Sequence, residues 1–176
     1  TGINQNGKLL TLSDAATIAD LVDVAGIPGG GVDYLYPSTI EDSQSNLWDG
    51  GDVQDLSQSG SVSGFIKPGT NVTVTGAATI AGHDLQGVAT IAALNAIDLA
   101  NGDGSVSYQT IFDNWWNVAN GAVDSTDIVV SPWASWGTNV FLNDWVNFNP
   151  LVAIHDAIGV GSLGYLALNA TAAQLY

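Results

Sequence analysis

Cysteine, methionine and arginine are absent from this 176-residue chain, and its only lysines are Lys8 and Lys67. Without cysteine, the protein has neither a disulfide framework nor a thiolate site. Because two cations cannot neutralise a run of phosphates, nucleic-acid binding is excluded and binding to an anionic membrane surface is disfavoured. No uninterrupted apolar stretch of about 18 residues occurs, so we predict no membrane-spanning helix.

Charge is scarce and almost entirely of one sign. Seventeen acidic and two basic residues give a net charge of −15, yet charged residues make up only 11% of the chain, against about 25% in typical domains. The hydrophobic content is 46% and the mean hydropathy is +0.22, which distinguishes the chain from a disordered acidic tail. This composition is common in proteins outside the cell or on a particle or cell surface, and we predict such a location.

The fold is predicted to be α+β, a single domain with an antiparallel β-sheet and about three short helices. The sheet should include 62–66, 71–75 and 127–130, because the first two of these segments flank a Pro-Gly turn. Apolar residues spaced three and four apart predict the helices, which lie near 14–25, 84–99 and 109–119. Ser13 and Asp14 offer an N-cap for the first helix.

The predicted domain organisation has three parts. Residues 1–12 are predicted to form an extended N-terminal arm, and residues 13–176 a single globular domain. A long polar excursion at 38–61 interrupts this domain, because the segment is polar and has little periodicity. Such an excursion is typical of a functional loop or of a segment that lies over a partner.

Short stretches of sequence recur along the chain. Ala15–Ala19 and Ala77–Ala81 have the same sequence, and Ala89–Ala92 nearly matches them. The separations share no period, and small residues recur easily by chance in a chain rich in Ala and Thr. We therefore predict no internal repeat.

Asp98, Asn101 and Asp103 lie in a stretch that resembles the start of an EF-hand or dockerin calcium loop. When Asn101 and Asp103 occupy the third and fifth positions of that motif, Leu99 falls at the first and Thr110 at the twelfth, where ligands are needed. A turn that ends a helix is therefore the favoured interpretation. The three polar residues are retained as candidate calcium ligands, and no other cofactor is predicted.

Five of the six tryptophans lie in the second half of the chain. Trp133, Trp136 and Trp145, together with Asn143 and Asp144, are candidate interface or ligand residues. Exposed indole rings stack on sugars, and amide or carboxylate groups bind hydroxyls, which would make a carbohydrate site. Buried tryptophans instead anchor a core or a subunit interface, and this second interpretation is favoured.

Three classes of function remain. The first is a non-enzymatic structural protein that assembles with copies of itself, such as a capsid, surface-layer or filament subunit. It is favoured because surface that is buried between copies need not be charged. The alternatives are a secreted carbohydrate-binding or adhesion module with a glycan partner, and a hydrolase without a recognisable motif.

Overall fold

The computed structural model describes residues 9–26, 35–48, 62–121 and 128–175. The helices are α1 (Ile18–Ala25), α2 (Gln44–Leu47), α3 (Ile91–Asn101), α4 (Trp115–Val118) and α5 (Phe148–Ile158), followed by a short 3₁₀ helix at Ala172–Gln174. The strands are β1 (Leu10–Ala16), β2 (Leu35–Asp42), β3 (Asn71–Val74), β4 (Ala77–Ile80), β5 (His83–Gln86), β6 (Val88–Ala89), β7 (Val106–Ser107), β8 (Thr110–Asp113), β9 (Ala119–Asn120), β10 (Val129–Val130), β11 (Asn139–Asn147) and β12 (Leu163–Asn169).

Two four-stranded sheets form the centre of the fold, and every strand pair in them is parallel. Their orders are β1-β2-β3-β7 and β12-β11-β8-β6. In the described part of the chain, antiparallel pairing is confined to the β4–β5 hairpin, the β9–β10 pair and one bridge between Trp48 and Val62. The predicted single antiparallel sheet is therefore wrong.

The predicted helices differ from the observed ones for one physical reason. Each long helix connects two parallel strands, and a strand passes into its helix through a single capping residue. A strand and a helix therefore share one apolar run, which we interpreted as helix alone. The predicted helices at 84–99 and 109–119 each begin in residues that form strands, and α5 was not predicted.

The predicted arm and excursion also need correction. β1 begins at Leu10, inside the predicted arm, and pairs with β2. Residues 38–48 form the end of β2 and all of α2, so they belong to the folded core and not to an excursion. Pro37 lies within β2 and does not end it. The rest of the predicted arm, at 1–8, and of the predicted excursion, at 49–61, lies outside the described residues.

Contrary to the prediction, the chain contains an internal repeat of three β-α-β units. Unit one is β1, α1 and β2, and unit three is β11, α5 and β12. In unit two the strand before the helix is β3 and β6, interrupted by the β4–β5 hairpin, and the strand after α3 is β7 and β8. Ala16–Ala19 and Ala89–Ala92 are equivalent, because in both a strand ends and a threonine caps the helix.

The backbone repeats in detail. The pairing of β1 with β2 shifts register between Leu12 and Ala15, and that of β11 with β12 shifts between Leu142 and Trp145. The hairpin of unit two occupies the same place. α3 and α5 each end at a glycine whose φ is positive, +56° and +55°, a conformation that favours glycine. The repeat therefore extends to individual bulges and turns.

One apolar core runs through all three units and includes side chains from both sheets and from α1, α3 and α5. A smaller cluster lies between the β4–β5 hairpin and the outer face of β8 and β11, where Ile80 and Leu85 pack on Phe112 and Phe141. None of the helices in the described ranges is long and apolar enough to cross a membrane.

Candidate functional site

A buried carboxylate lies where units two and three meet. The Asp113 side chain is fully buried and accepts hydrogen bonds from the Ile91 N–H (2.9 Å), the Asn114 N–H (2.8 Å) and the Asn117 side-chain amide (2.8 Å). Burial raises the pKa of Asp113, and the charge of Asp144 adds to the rise, although the three hydrogen bonds oppose it. Because both oxygens are already bonded to protein donors, this carboxylate orients the start of α3 and is not accessible to a substrate.

Asp42 is the equivalent residue of unit one and accepts the equivalent set of hydrogen bonds. It accepts hydrogen bonds from the Ile18 N–H (2.9 Å), the Ser43 N–H (2.7 Å) and the Asn46 side-chain amide (2.8 Å). Neither aspartate is among the residues predicted from the sequence, although an Asp followed four residues later by Asn marks each. In unit three the equivalent position is Ala170, which has no carboxylate.

The calcium candidates lie at the end of α3. Asp98 and Asp103 are exposed, whereas Asn101 is buried and its amide group donates to the Thr70 and Ser105 carbonyls, both at 3.2 Å. In the described ranges no group of three or more His, Cys, Asp or Glu side chains is placed to hold a metal ion. The structure thus shows Asn101 bonding the protein backbone, and the calcium site stays a prediction.

The tryptophan candidates do not form one cluster. Trp133 is half-buried, its indole N–H donates to the Asn95 side-chain oxygen (2.8 Å), and its ring meets that of Tyr108 edge-on. Trp136 is 72% exposed. Its ring lies close against the backbone of Gly159. A Cβ atom added to that glycine would be only 2.2 Å from the ring, so the contact requires glycine there.

Trp145 is 55% exposed on β11. Asn143 and Asp144 form the bulge just before it, and the Asp144 carboxylate accepts a hydrogen bond from the Trp115 N–H (3.3 Å). Trp136 precedes β11, and at about 3.3 Å per residue the strand from Asn139 to Trp145 spans roughly 20 Å. Trp136 and Trp145 are therefore not anchors of this chain's core, and the role of the three candidate tryptophans at an interface or with a ligand stays a prediction.

The two histidines line different cavities. His83 and Asp84 line a cavity of about 340 Å³ beneath the β4–β5 hairpin, where the imidazole lies 5.3 Å from the Phe141 ring. On α5 the His155 Nδ1 atom lies 3.5 Å from the Asp156 Oδ1 atom. The His155 side chain lines a separate apolar cavity of about 230 Å³. The structure therefore does not bring two imidazoles and a carboxylate together for acid–base chemistry.

The first sheet has an unpaired side at β1. Among the described residues β1 pairs only with β2, and its other side is called the N-terminal edge here. Leu10 and Leu12 on β1 are only half-buried. Their counterparts in unit two, Val72 and Val74, are each 1% exposed. In the part of the chain that the structure describes, the core is thus open at the N-terminal edge, where the inner units close it.

The second sheet has the corresponding unpaired side at β12. Within the described ranges β12 pairs only with β11, and its other side is called the C-terminal edge. Leu168 is half-buried, and Leu175, which follows the strand, is 58% exposed. The residues equivalent to Leu175 in the inner units are Leu47 and Val118, and both are fully buried. Within the described ranges, the core is thus open at this edge as well.

A four-residue motif in the sequence marks two of the three units of the repeat. Gly-Thr-Asn-Val occurs at 69–72 and again at 137–140, at the start of β3 and of β11. In both copies the asparagine side chain accepts hydrogen bonds from the N–H and the hydroxyl of one serine, Ser105 or Ser162. Leu10 has no such motif before it, so only the strand pairing identifies it as the third counterpart.

Comparisons with protein-family models, with curated proteins and with solved structures found no match for this chain. Its function therefore has to be inferred from its own contacts. In the described ranges the Asp42 and Asp113 carboxylates accept hydrogen bonds from protein donors, and the Asn101 side-chain N–H groups donate to protein carbonyls. No three or more His, Cys, Asp or Glu side chains in these ranges are grouped to hold a metal ion. Among the described residues, the two open edges are the feature from which we infer a function.

Proposed function

We propose that this protein is a non-enzymatic structural subunit that assembles with copies of itself through its two edges. The observation that carries the proposal is the open core at both edges, at positions that the inner units bury. A unit that ends a repeat array usually has a polar outer face. Here the last unit exposes Val152, Leu166 and Leu175, which is the arrangement expected of a unit that another copy covers.

The electrostatics suit such a subunit. Few charges have to be desolvated when its surface is buried, because charged residues are scarce in the chain. The net charge of −15 opposes close approach of copies until salt screens it. A capsid, surface-layer or filament subunit outside the cell or on a particle surface is consistent with this composition.

The test of self-assembly is the mass of the particle as a function of protein concentration, measured by size-exclusion chromatography with light scattering. We expect the wild-type mass to rise with concentration. Leu175→Asp should weaken association at least tenfold, because about 1.4 kcal/mol corresponds to a factor of ten and burying one leucine contributes about that much or more.

Leu99→Asp is the matched control, since Leu99 is 86% exposed on α3 and lies in the middle unit, away from both edges. This variant should associate as the wild type does. A chain that stays monomeric at every concentration would contradict the proposal. Loss of association in Leu99→Asp alone would place the contact on the side of the molecule and also contradict it.

A second candidate function, carbohydrate binding, is supported by one observation at Trp136. Its exposed ring borders an open cavity of about 460 Å³ that is also lined by Tyr108, Gln109 and Asn139. An indole face next to side-chain amides suits a sugar ring, which has apolar faces and hydroxyl edges. The two other candidate tryptophans do not line this cavity, so the proposed site is Trp136 alone.

Quenching of tryptophan fluorescence by a panel of soluble oligosaccharides tests this candidate. We expect saturable quenching in the wild type and its loss in Trp136→Ala. Trp116→Ala is the control, because Trp116 is also exposed but does not line the cavity. Equal quenching in both variants would contradict a site at Trp136.

A further inference from the structure

We propose that the joint between copies continues the internal repeat, with the C-terminal edge of one copy pairing in parallel with the N-terminal edge of the next. This inference rests on the proposed self-assembly and adds its geometry. The occupant of each edge is thus a second copy of this chain. The inner units show how one unit follows another, and this pattern predicts a particular strand register.

The first step is to find which residues of β12 accept a following strand. Unit one passes to the next strand where Ile40 pairs with Val72. Unit two passes to the next strand where Ile111 pairs with Val140. In unit three the residue equivalent to Ile40 and Ile111 is Leu168. Each of the three pairs, within its own unit, with the last or next-to-last residue of the strand before the helix.

The second step is to find which residue of this chain resembles the incoming strand. Val72 pairs within its unit with Val106, and Val140 pairs with Leu163. Leu10 pairs with Leu35 in the same way, so Leu10 is the third member of this set. In Val72 and Val140 both sides are paired, whereas in Leu10 the described chain supplies only one of the two neighbours.

The two steps together give the register of the joint. Leu168 of one copy is expected to pair with Leu10 of the next, and Asn169 with Thr11. The half-buried leucines of the two edges then cover each other, as Ile40 and Val72 do in the interior. Asn169 and Thr11 lie on the outer, exposed face, where polar side chains are tolerated.

The joint has a defined polarity. Because β12 of one copy meets β1 of the next, each contact uses two different surfaces and leaves one edge of each kind free. A contact of this type propagates and produces an open filament, unless the rotation between copies closes a ring. A closed twofold dimer, in which β12 meets β12, is the arrangement that the repeat does not predict.

Disulfide cross-linking tests the register, and the absence of native cysteine makes every disulfide an introduced one. Paired strands lie about 4.8 Å apart, within the Cα separation of about 4.4–6.8 Å that a disulfide spans. The double variant Thr11→Cys/Asn169→Cys should therefore give a ladder of covalent oligomers on mild oxidation. The single variants should give none.

The matched control is Thr11→Cys/Ala167→Cys. Ala167 is exposed and lies two residues before Asn169 on the same face of β12. In the predicted register its Cα lies about 8 Å from that of Thr11, beyond the reach of a disulfide. We expect the ladder from this control to be at least tenfold weaker than that from the in-register pair.

The outcomes separate the two proposals. A ladder confined to the in-register pair supports the inference. If the mass rises with concentration but both pairs cross-link equally, or neither does, the register is wrong while self-assembly stands. Covalent dimers from Asn169→Cys alone would show β12 against β12 and overturn the predicted polarity. A chain that never gains mass overturns self-assembly, and this inference with it.

Discussion

Replacing Asp113, the buried carboxylate of unit two, tests whether equivalent residues of the repeat contribute similarly to the free energy of unfolding. Asp113→Ala leaves three donors without an acceptor, and an orphaned buried donor costs about 1–3 kcal/mol. The Ile91 N–H is buried, so its lost hydrogen bond has the full energetic cost. The donors of Asn114 and Asn117 are partly buried, so water can replace part of the hydrogen bonding that they lose. Relief from burying a charge offsets some of the sum. We expect a net loss of about 3 kcal/mol in the free energy of unfolding.

Asp42→Ala should cost somewhat less, because Asp42 binds the equivalent three donors at nearly the same distances but the Ile18 N–H is only partly buried. Urea titrations followed by tryptophan fluorescence, at one low protein concentration, measure both losses. The melting temperature should fall by roughly 6–12 °C in Asp113→Ala and by somewhat less in Asp42→Ala. Asp156→Ala is the control, since its side chain is 75% exposed, and should change little. Losses below about 0.5 kcal/mol in both variants, or in only one of them, would refute the equivalence.

Three further predictions follow from the same contacts. Gly161→Ala should destabilise the chain by about 2–3 kcal/mol in urea titrations, because its Cβ would lie 1.9 Å from the Thr138 carbonyl oxygen; Gly26→Ala, where the nearest atom is 3.4 Å away, should be nearly neutral. Burial raises the pKa of Asp113 and of Asp144, so the folded chain binds these protons more tightly than the unfolded chain. Their contribution to the free energy of unfolding should therefore rise as the pH falls from neutrality toward the ordinary aspartate range, and Asp144→Asn should flatten that rise. Association should strengthen with added sodium chloride in sedimentation experiments, because salt screens the net charge of −15; indifference to salt would mean that the acids lie far from the joint.

Local chemistry decided more about the helices than about the strands. The apolar spacing that predicts a helix near 14–25 overlaps α1, and that near 84–99 overlaps α3. The start of each was misplaced, since the caps are Thr17 and Thr90 and not residues earlier in the run. Ser13 and Asp14, the predicted cap, lie instead at the bulge of β1. A run of small and apolar residues carries both the end of a strand and the start of a helix, so spacing alone cannot divide it.

The candidate functional residues likewise depend partly on composition and partly on the fold. Composition alone predicts no nucleic-acid site and favours a subunit with little charge to desolvate. The acidic and aromatic side chains that stood out in the sequence proved to be dispersed, because proximity along the chain says little about proximity in a fold of parallel strands. Asp42 and Asp113 acquire their meaning only from donors in other elements, Ile18 and Ile91.

The absence of thiol chemistry, the net charge and the approximate places of the helices can be read from the amino-acid sequence, because they depend on residue counts and on neighbours a few positions apart. The folded chain was needed to show that the strands are parallel, that three units share one register and that the described core is open at both edges. Pairing between strands joins residues as far apart as Leu35 and Leu10 or Val72 and Val106. Which residues pair is set by the packing of helices between strands, and that packing exists only once the chain has folded.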